Sequence, residues 1–229
     1  GVYGAPRFHI AAKKVGIRAH IGAEVTSTEG CRYPLLAESR VGYQDLCRLI
    51  TRMKLRAPKG EGAVTPEEIA EYATGLVCLA GAEGGPSLEK AFLIFGRDHV
   101  YAELQRHMNR EEELRNQATM ELAARLKVPL LATNGVCHAH PHQRELMDAL
   151  TCVREKVLLD EAGRLLAKNN ERYLKSSCEM EWLFRDVPHA IANTVELSSR
   201  LNFTLADLGY EFPQYPVPEG ETMTSFLRK

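Results

Sequence analysis

The chain has 229 residues, of which 45% are hydrophobic and 26% charged, and its formal net charge at pH 7 is -1. This composition is typical of a globular protein with one large or two small domains, and the near-zero charge excludes a global attraction to nucleic acid. The sequence contains no run of about eighteen apolar residues and no signal peptide, which argues against membrane and secreted classes and predicts a cytoplasmic location.

Apolar runs of strand length alternate with amphipathic stretches along the first part of the chain. The predicted strands are residues 20–25, 33–37, 75–80, 100–104 and 129–133. The predicted helices between them are residues 41–53, 66–72, 87–95 and 110–126. Such alternation predicts an α/β fold with a mainly parallel sheet or barrel.

The helix at residues 110–126 has the clearest local signals. Asn109 is placed to cap it, and Glu112 stands at the capping-box position. The acidic run at residues 111–113 indicates favourable charge at a helix N-terminus before it indicates catalysis. The predicted buried side repeats every four residues and consists of Leu114, Ala118, Leu122 and Leu126.

Beyond residue 143 the pattern becomes helical, with predicted helices at residues 144–154, 176–184 and 188–201. The sole tryptophan, Trp182, is expected to anchor the core. Residues 202–220 are rich in Pro, Gly, Tyr and Phe, which predicts an extended strap, and from Glu221 the chain begins to look helical. We therefore expect a domain at residues 1–201 and a linker at residues 202–229.

Two further compositional features concern cysteine and basic residues. The six cysteines are scattered singly, which predicts buried free thiols. Residues 40–59 contain six Arg or Lys against one acid. Arg52, Lys54 and Arg56 are therefore candidates for weak contact with DNA phosphate, and a solvated helix face is the alternative.

An apolar run at residues 128–133 is soon followed by a cluster of metal-competent side chains, Cys137, His138, His140 and His142. Strand ends are where α/β proteins hold their chemistry, so one interpretation is a transition-metal site. The other is a polar loop, because Pro141 interrupts the alternation and the spacing matches no standard metal motif. Glu103 and His107 also stand near a strand end, where structural hydrogen bonds are favoured over acid–base catalysis.

Several segments together resemble the PHP domain at the front of bacterial C-family DNA polymerases. In order they are AAKKVGI from Ala11, IGAEV from Ile21, YPLLAE from Tyr33, GYQDL from Gly42, GLVCLAG from Gly75, YAELQRH from Tyr101, LATN from Leu131 and YLKS from Tyr173. The pieces RLITRMK from Arg48, LADLGYEFP from Leu205 and YPVPEGETM from Tyr215 resemble the error-prone branch of the polymerase alpha subunit.

The resemblance implies a distorted barrel of seven βα units with metal ligands at the carboxyl ends of its strands. The opening strands, which carry a His-x-His pair in metal-binding PHP domains, would precede Gly1, so the chain is expected to be an N-terminally incomplete fragment. Glu24 matches the family glutamate, whereas a family histidine is replaced in the region of Arg32 and Tyr33.

Further family ligands are also replaced. Ala82 stands in the place of a cysteine, and the closing Asp-x-His corresponds to Gly135 and Cys137. The residual ligands would be Glu24 and Cys137, with His138 possible by a loop shift, and two ligands seldom hold zinc. The resemblance therefore implies at most a residual divalent metal in this chain, with Mg²⁺ serving the polymerase reaction elsewhere.

The function expected from these features is a degenerate, noncatalytic module of an error-prone, translesion DNA polymerase. Its implied partners are a polymerase domain of the same longer chain, DNA through that chain, and other repair or replication proteins, with no membrane. One alternative is a metal-dependent phosphoesterase of the proofreading type, in which Glu24 positions the metal. The other is a stand-alone protein-interaction domain.

Overall fold

A computed structural model of the protein describes residues 1–58, 60–82, 85–208, 216–220 and 222–227. The strands are β1 (Gly22–Thr26), β2 (Arg32–Ala37), β3 (Leu76–Ala80), β4 (Val100–Gln105) and β5 (Leu130–Thr133). The helices are α1 (Ala5–Lys14), α2 (Arg40–Leu55), α3 (Pro66–Glu71), α4 (Gly85–Phe95), α5 (Arg110–Leu126), α6 (Arg144–Glu155), α7 (Leu159–Ala162), α8 (Ser177–Leu183), α9 (Pro188–Arg200) and α10 (Met223–Leu227). Each predicted strand and helix overlaps an observed one, so the α/β assignment is confirmed.

The five strands form one sheet in the order β1-β2-β3-β4-β5. β2 runs antiparallel to both β1 and β3, whereas β3, β4 and β5 are parallel. The expectation of a mainly parallel sheet is therefore wrong for half of the strand pairs. The short connection between β1 and β2 permits only an antiparallel return, because a parallel crossover needs a dozen or more residues. The described strands do not close into a barrel.

The centre of the sheet is buried on both faces, which explains why β3 consists entirely of buried apolar residues. Cys78 and Ala80 belong to the main core, where α2, α4 and α5 also pack. Val77 and Leu79 point the other way and join a smaller cluster with Leu197 of α9. Helices thus cover both sides of the sheet, as in other α/β domains.

A close backbone contact fixes α2 against the start of β3. A side chain built at Gly42 would place its Cβ only 1.9 Å from the carbonyl oxygen of Gly75. Ser39 caps the same helix by accepting a hydrogen bond from the Gly42 N–H at 3.1 Å. Only glycine allows the helix to begin this close to the sheet.

The buried side of α5 differs only in part from the expected one, since Leu122 is buried as expected and Ala118 is exposed. Leu114 is 65% exposed, whereas Glu112, Asn116 and Thr119 are buried. Asn116 donates to the carbonyl oxygen of Gln105 at 2.8 Å, and the Thr119 hydroxyl donates to that of Gly81 at 3.1 Å. These polar side chains face inward because they satisfy backbone groups of the loops that follow β4 and β3.

Trp182 is not a core anchor, since it is 60% exposed and the guanidinium of Arg185 lies 4.7 Å from its ring. The expectation of buried thiols is correct for Cys78 and Cys152 and wrong for Cys137 and Cys178, which are exposed. These errors concern exposed positions in α8 and in the loop after β5, where local hydrophobicity does not determine burial.

The expected strap falls partly outside the described residues, which omit 209–215. Leu201 and Phe203 are buried, and the Phe203 ring stacks on Tyr43 with centroids 5.0 Å apart. The packed unit thus extends just past α9, and the helix expected after Glu221 is present as α10. None of the described helices is long and apolar enough to cross a membrane.

Candidate functional site at the strand ends

A polar cavity of about 190 Å³ lies at one edge of the sheet. β1 runs in the same direction as β3, β4 and β5, so the carboxyl ends of these four strands meet at this edge, together with the first residue of β2. This is the edge where α/β sheets bind ligands. The lining residues are Glu24, Arg32, Pro34, Ala82, Glu103, Gln105, His107, Glu112, Arg115 and Arg172.

Because side chains alternate along a strand, three polar side chains of β1 and β4 point toward the cavity. Glu24, Glu103 and Gln105 alternate with residues that face the main core, such as Leu104. Glu103 is buried and accepts hydrogen bonds from the Thr133 hydroxyl at 2.5 Å and from the Gln105 amide at 3.0 Å. Glu103 therefore has the structural hydrogen bonds that its position near a strand end favoured.

An arginine fills the space beside Gly135. The Arg172 Nε donates to the carbonyl oxygen of Gly135 at 2.7 Å. A Cβ at Gly135, whose φ is +46°, would lie 2.7 Å from Arg172 Nη2 and 2.7 Å from Gln105 Oε1. The position where the resemblance expects a ligand aspartate thus has no room for a side chain unless Arg172 and Gln105 move.

The charges around the cavity are balanced. Its lining contains three arginines and three glutamates, and Arg32 Nη1 lies 3.7 Å from Glu24 Oε1. A divalent cation needs oxygen or imidazole ligands that converge on one point and carry surplus negative charge. Here Glu24 already faces a guanidinium, and Glu103 and Glu112 already accept hydrogen bonds from neighbouring groups. The residues present therefore do not fit a metal ion.

The three residual ligands are not assembled at one point. Glu24 lines the cavity, whereas Cys137 and His138 are not among its lining residues. Cys137 is exposed, and the Nδ1 of buried His138 lies 2.9 Å from the His140 carbonyl oxygen. Among the residues that the structure describes, no group of three His, Cys, Asp or Glu side chains could hold a metal.

A buried pair next to the cavity ties the loop after β4 to α5. Glu112 accepts hydrogen bonds from the His107 backbone N–H at 2.6 Å and faces His107 Nδ1 at 2.7 Å. The other ring nitrogen lies 2.9 Å from the carbonyl oxygen of Asn134. Burial raises the pKa of Glu112, but the hydrogen bonds from His107 outweigh it, and the pKa lies below its ordinary value. Glu112 is therefore ionised at neutral pH.

Asn134 extends this network to the segment around residue 172. Its amide donates to the carbonyl oxygens of Glu171 at 3.2 Å and Tyr173 at 2.6 Å. The Arg172 carbonyl in turn accepts from the Cys137 N–H at 2.8 Å. Sequence reasoning missed Arg172, because 37 residues separate it from Gly135. For Asn134 the sequence did hold a signal, because this residue directly follows the predicted strand at residues 129–133.

The basic stretch at residues 40–59 is largely paired within the protein. Arg56 binds Glu68 of α3 with both terminal nitrogens, and Arg52 lies 3.1 Å from the same carboxylate and 2.8 Å from Glu71. Lys54 donates to the carbonyl oxygen of Glu61 at 2.8 Å. Less positive charge is thus available to DNA than the sequence suggests, and DNA contact by Arg52, Lys54 and Arg56 stays a prediction. Lys59 lies outside the described residues.

Comparison with known proteins identifies the family of this chain. Residues 1–110 match the family described as PHP domain. The chain contains a PHP domain. One relative is the error-prone DNA polymerase of Rhodopseudomonas palustris strain BisB5. It is 34% identical to this chain, and the aligned region covers 92% of the chain and 20% of the relative. The error-prone DNA polymerase of Anaeromyxobacter dehalogenans strain 2CP-C is 36% identical over 95% of the chain and 20% of its own length. That of Bdellovibrio bacteriovorus is 32% identical over 98% of the chain and 21% of its own length.

The chain spans about a fifth of the length of these relatives. It is therefore homologous to one part of longer polymerase chains. The family match ends at residue 110, the first residue of α5, whereas the sheet continues through β5 and its cover through α9. These contacts favour a domain that extends to about residue 201.

Proposed function

We propose that this PHP domain is a noncatalytic, structural module of an error-prone DNA polymerase. In it, arginine side chains and hydrogen bonds join the strand ends that metal ions join in metal-binding PHP domains. The observation that carries the proposal is the position of Arg172, whose guanidinium fills the space beside Gly135. A half-buried guanidinium that binds a carbonyl oxygen supplies fixed positive charge without a metal.

In such a polymerase, nucleotide transfer and its Mg²⁺ ions would belong to another part of the chain. The PHP domain would support that part and offer surface to DNA or to other repair and replication proteins. The relatives that carry this inference are the error-prone DNA polymerases, which align with nearly all of the chain. Translesion synthesis in DNA repair is the process that their name suggests.

The test combines metal analysis with stability measurements on the purified 229-residue chain. We expect less than one equivalent of zinc or manganese, no effect of a chelator on the melting temperature, and no hydrolysis of p-nitrophenyl phosphate or a 3′-labelled DNA strand. Arg172→Ala should lower the melting temperature, because it removes the hydrogen bond to the part-buried carbonyl oxygen of Gly135. Arg164→Ala, at an exposed position, is the matched control and should not.

Stoichiometric zinc or manganese, together with hydrolysis that Glu24→Gln abolishes, would establish the phosphoesterase alternative and overturn the proposal. If Arg172→Ala is as stable as Arg164→Ala, then Arg172 has no structural role and the proposal fails on that point. A chain that binds partner proteins but never stabilises a polymerase domain would favour the stand-alone interaction domain.

A further inference from the structure

A second cleft lies between the end of α1, the segment at residues 16–20 and the segment at residues 201–204. Its volume is about 380 Å³, which falls within the range of about 300–1,000 Å³ that is common for small-molecule sites. None of the strand-end residues described above lines it. The cleft is therefore a separate site, formed where the N-terminal helix meets the chain that leaves α9.

The rim of this cleft carries positive charge that no carboxylate among the described residues neutralises. Lys13 and Arg18 line it, and none of the lining residues is acidic. No Asp or Glu precedes Glu24 in the sequence. Within the described part of the chain, Lys13 has no ion pair and Arg18 bonds only to the Ser198 hydroxyl, at 2.8 Å. Two cations on a concave surface attract an anion more strongly than two on a flat one.

Ser198 holds the guanidinium of Arg18 in place. Its oxygen accepts from Arg18 and lies 2.9 Å from the Nε2 of His20, so its hydrogen is free to donate to that ring. Burial and then the charge of Arg18 lower the pKa of His20 below its ordinary value. His20 is thus mainly uncharged at pH 7. It lines the cleft as a hydrogen-bonding group, and its ring should respond to an anion bound nearby.

The floor of the cleft is apolar. Ala19, Leu201 and Phe203 are buried beneath it, and the side chain of Ile17 stands at the rim with 62% of its surface exposed. A simple inorganic anion would use the charges and leave this apolar surface in water. A ligand with an anionic group and a flat, weakly polar body satisfies both parts.

We propose that this cleft binds a phosphate-bearing nucleotide unit, with its phosphate at Lys13 and Arg18 and its base against Ile17 and the apolar floor. Phosphate accepts charge-assisted hydrogen bonds from both cations, and every base offers a flat face to apolar side chains. The unit is either a free nucleotide or one residue of a single DNA strand. This site goes beyond the noncatalytic role proposed above and does not rest on it.

The experiment titrates the 229-residue chain with thymidine monophosphate, a ten-residue thymidine oligonucleotide and inorganic phosphate, and follows the ring resonances of His20. Both nucleotide ligands should shift these resonances. Tighter, salt-dependent binding of the oligonucleotide identifies the strand as the source, and equal binding identifies the free nucleotide. Inorganic phosphate that binds as tightly as thymidine monophosphate would overturn the proposal, as would an absence of shifts.

Charge-matched variants complete the test. The double change Lys13→Gln and Arg18→Gln should weaken nucleotide binding at least about tenfold, as expected for lost hydrogen bonds to charged groups. Arg7→Gln with Lys14→Gln removes the same charges from exposed positions outside the cleft and should weaken it less than about twofold. Equal losses in the two pairs would overturn the site. If the double variant of Lys13 and Arg18 does not fold, the single variant Lys13→Gln should still bind thymidine monophosphate more weakly than Lys14→Gln.

Discussion

The buried pair of His107 and Glu112 offers the sharpest test of the network at the strand ends. Both residues are 8% exposed, and the carboxylate satisfies the backbone N–H and the ring Nδ1 of His107 at 2.6 Å and 2.7 Å. Glu112→Ala removes both acceptors and leaves a cavity. Glu112→Gln keeps a carbonyl for the N–H and places an amide nitrogen near Nδ1.

The expected magnitudes separate the two variants. Removing one partner of a buried, hydrogen-bonded pair costs about 3–5 kcal/mol, so Glu112→Ala should lower the free energy of unfolding by that amount. Glu112→Gln should cost about 1 kcal/mol, because a neutral hydrogen-bonding group remains. Glu111→Ala is the matched control, since Glu111 is exposed and pairs with Lys168 at the surface, and it should behave like the unchanged protein.

Urea unfolding at pH 7 measures these differences, and a loss of 3–5 kcal/mol should move the midpoint by about 1–2 M. Acidification adds a second check. The folded-state pKa of Glu112 lies below the ordinary 4.5, so its contribution is complete above pH 4.5 and is lost as the pH falls through the folded-state value. The difference between Glu112→Ala and the unchanged protein should shrink accordingly. A difference at pH 7 under about 1 kcal/mol, or one that ignores acidification, would refute the reasoning.

Three other predictions concern separate parts of the chain. Gly42→Ala should lower the free energy of unfolding by about 1–3 kcal/mol or more, because its Cβ would lie 1.9 Å from the Gly75 oxygen; Gly4→Ala, with open space, should not. The pKa of Glu68 is lowered to about 2, chiefly by hydrogen bonds from the guanidinium of Arg56. Stability should therefore decline from pH 4.5 towards pH 2, and Glu68→Gln should flatten that decline in urea unfolding; an unchanged slope would contradict this. Lys54→Ala should weaken DNA binding equally for all sequences and reduce its salt slope by about 0.9; sequence-selective binding that survives high salt would contradict the predicted contact.

The sequence alone determined the positions of the strands and helices, because these depend on hydrophobic periodicity and on end signals within a few residues. It also determined the family, and it showed that Ala82 and Gly135 lack the ligand side chains that the resemblance expects. A missing side chain can be recognised from the sequence without knowing what lies near it in space.

Only the tertiary structure decided what replaces those ligands. Arg172 reaches Gly135 because the chain after α7 returns along the end of β5, a path that no local pattern encodes. The buried face of α5 was also decided in this way, since its polar side chains bind backbone groups of distant loops. Hydrogen bonds between segments far apart in sequence depend on where the sheet brings them, and local hydrophobicity carries no information about that placement.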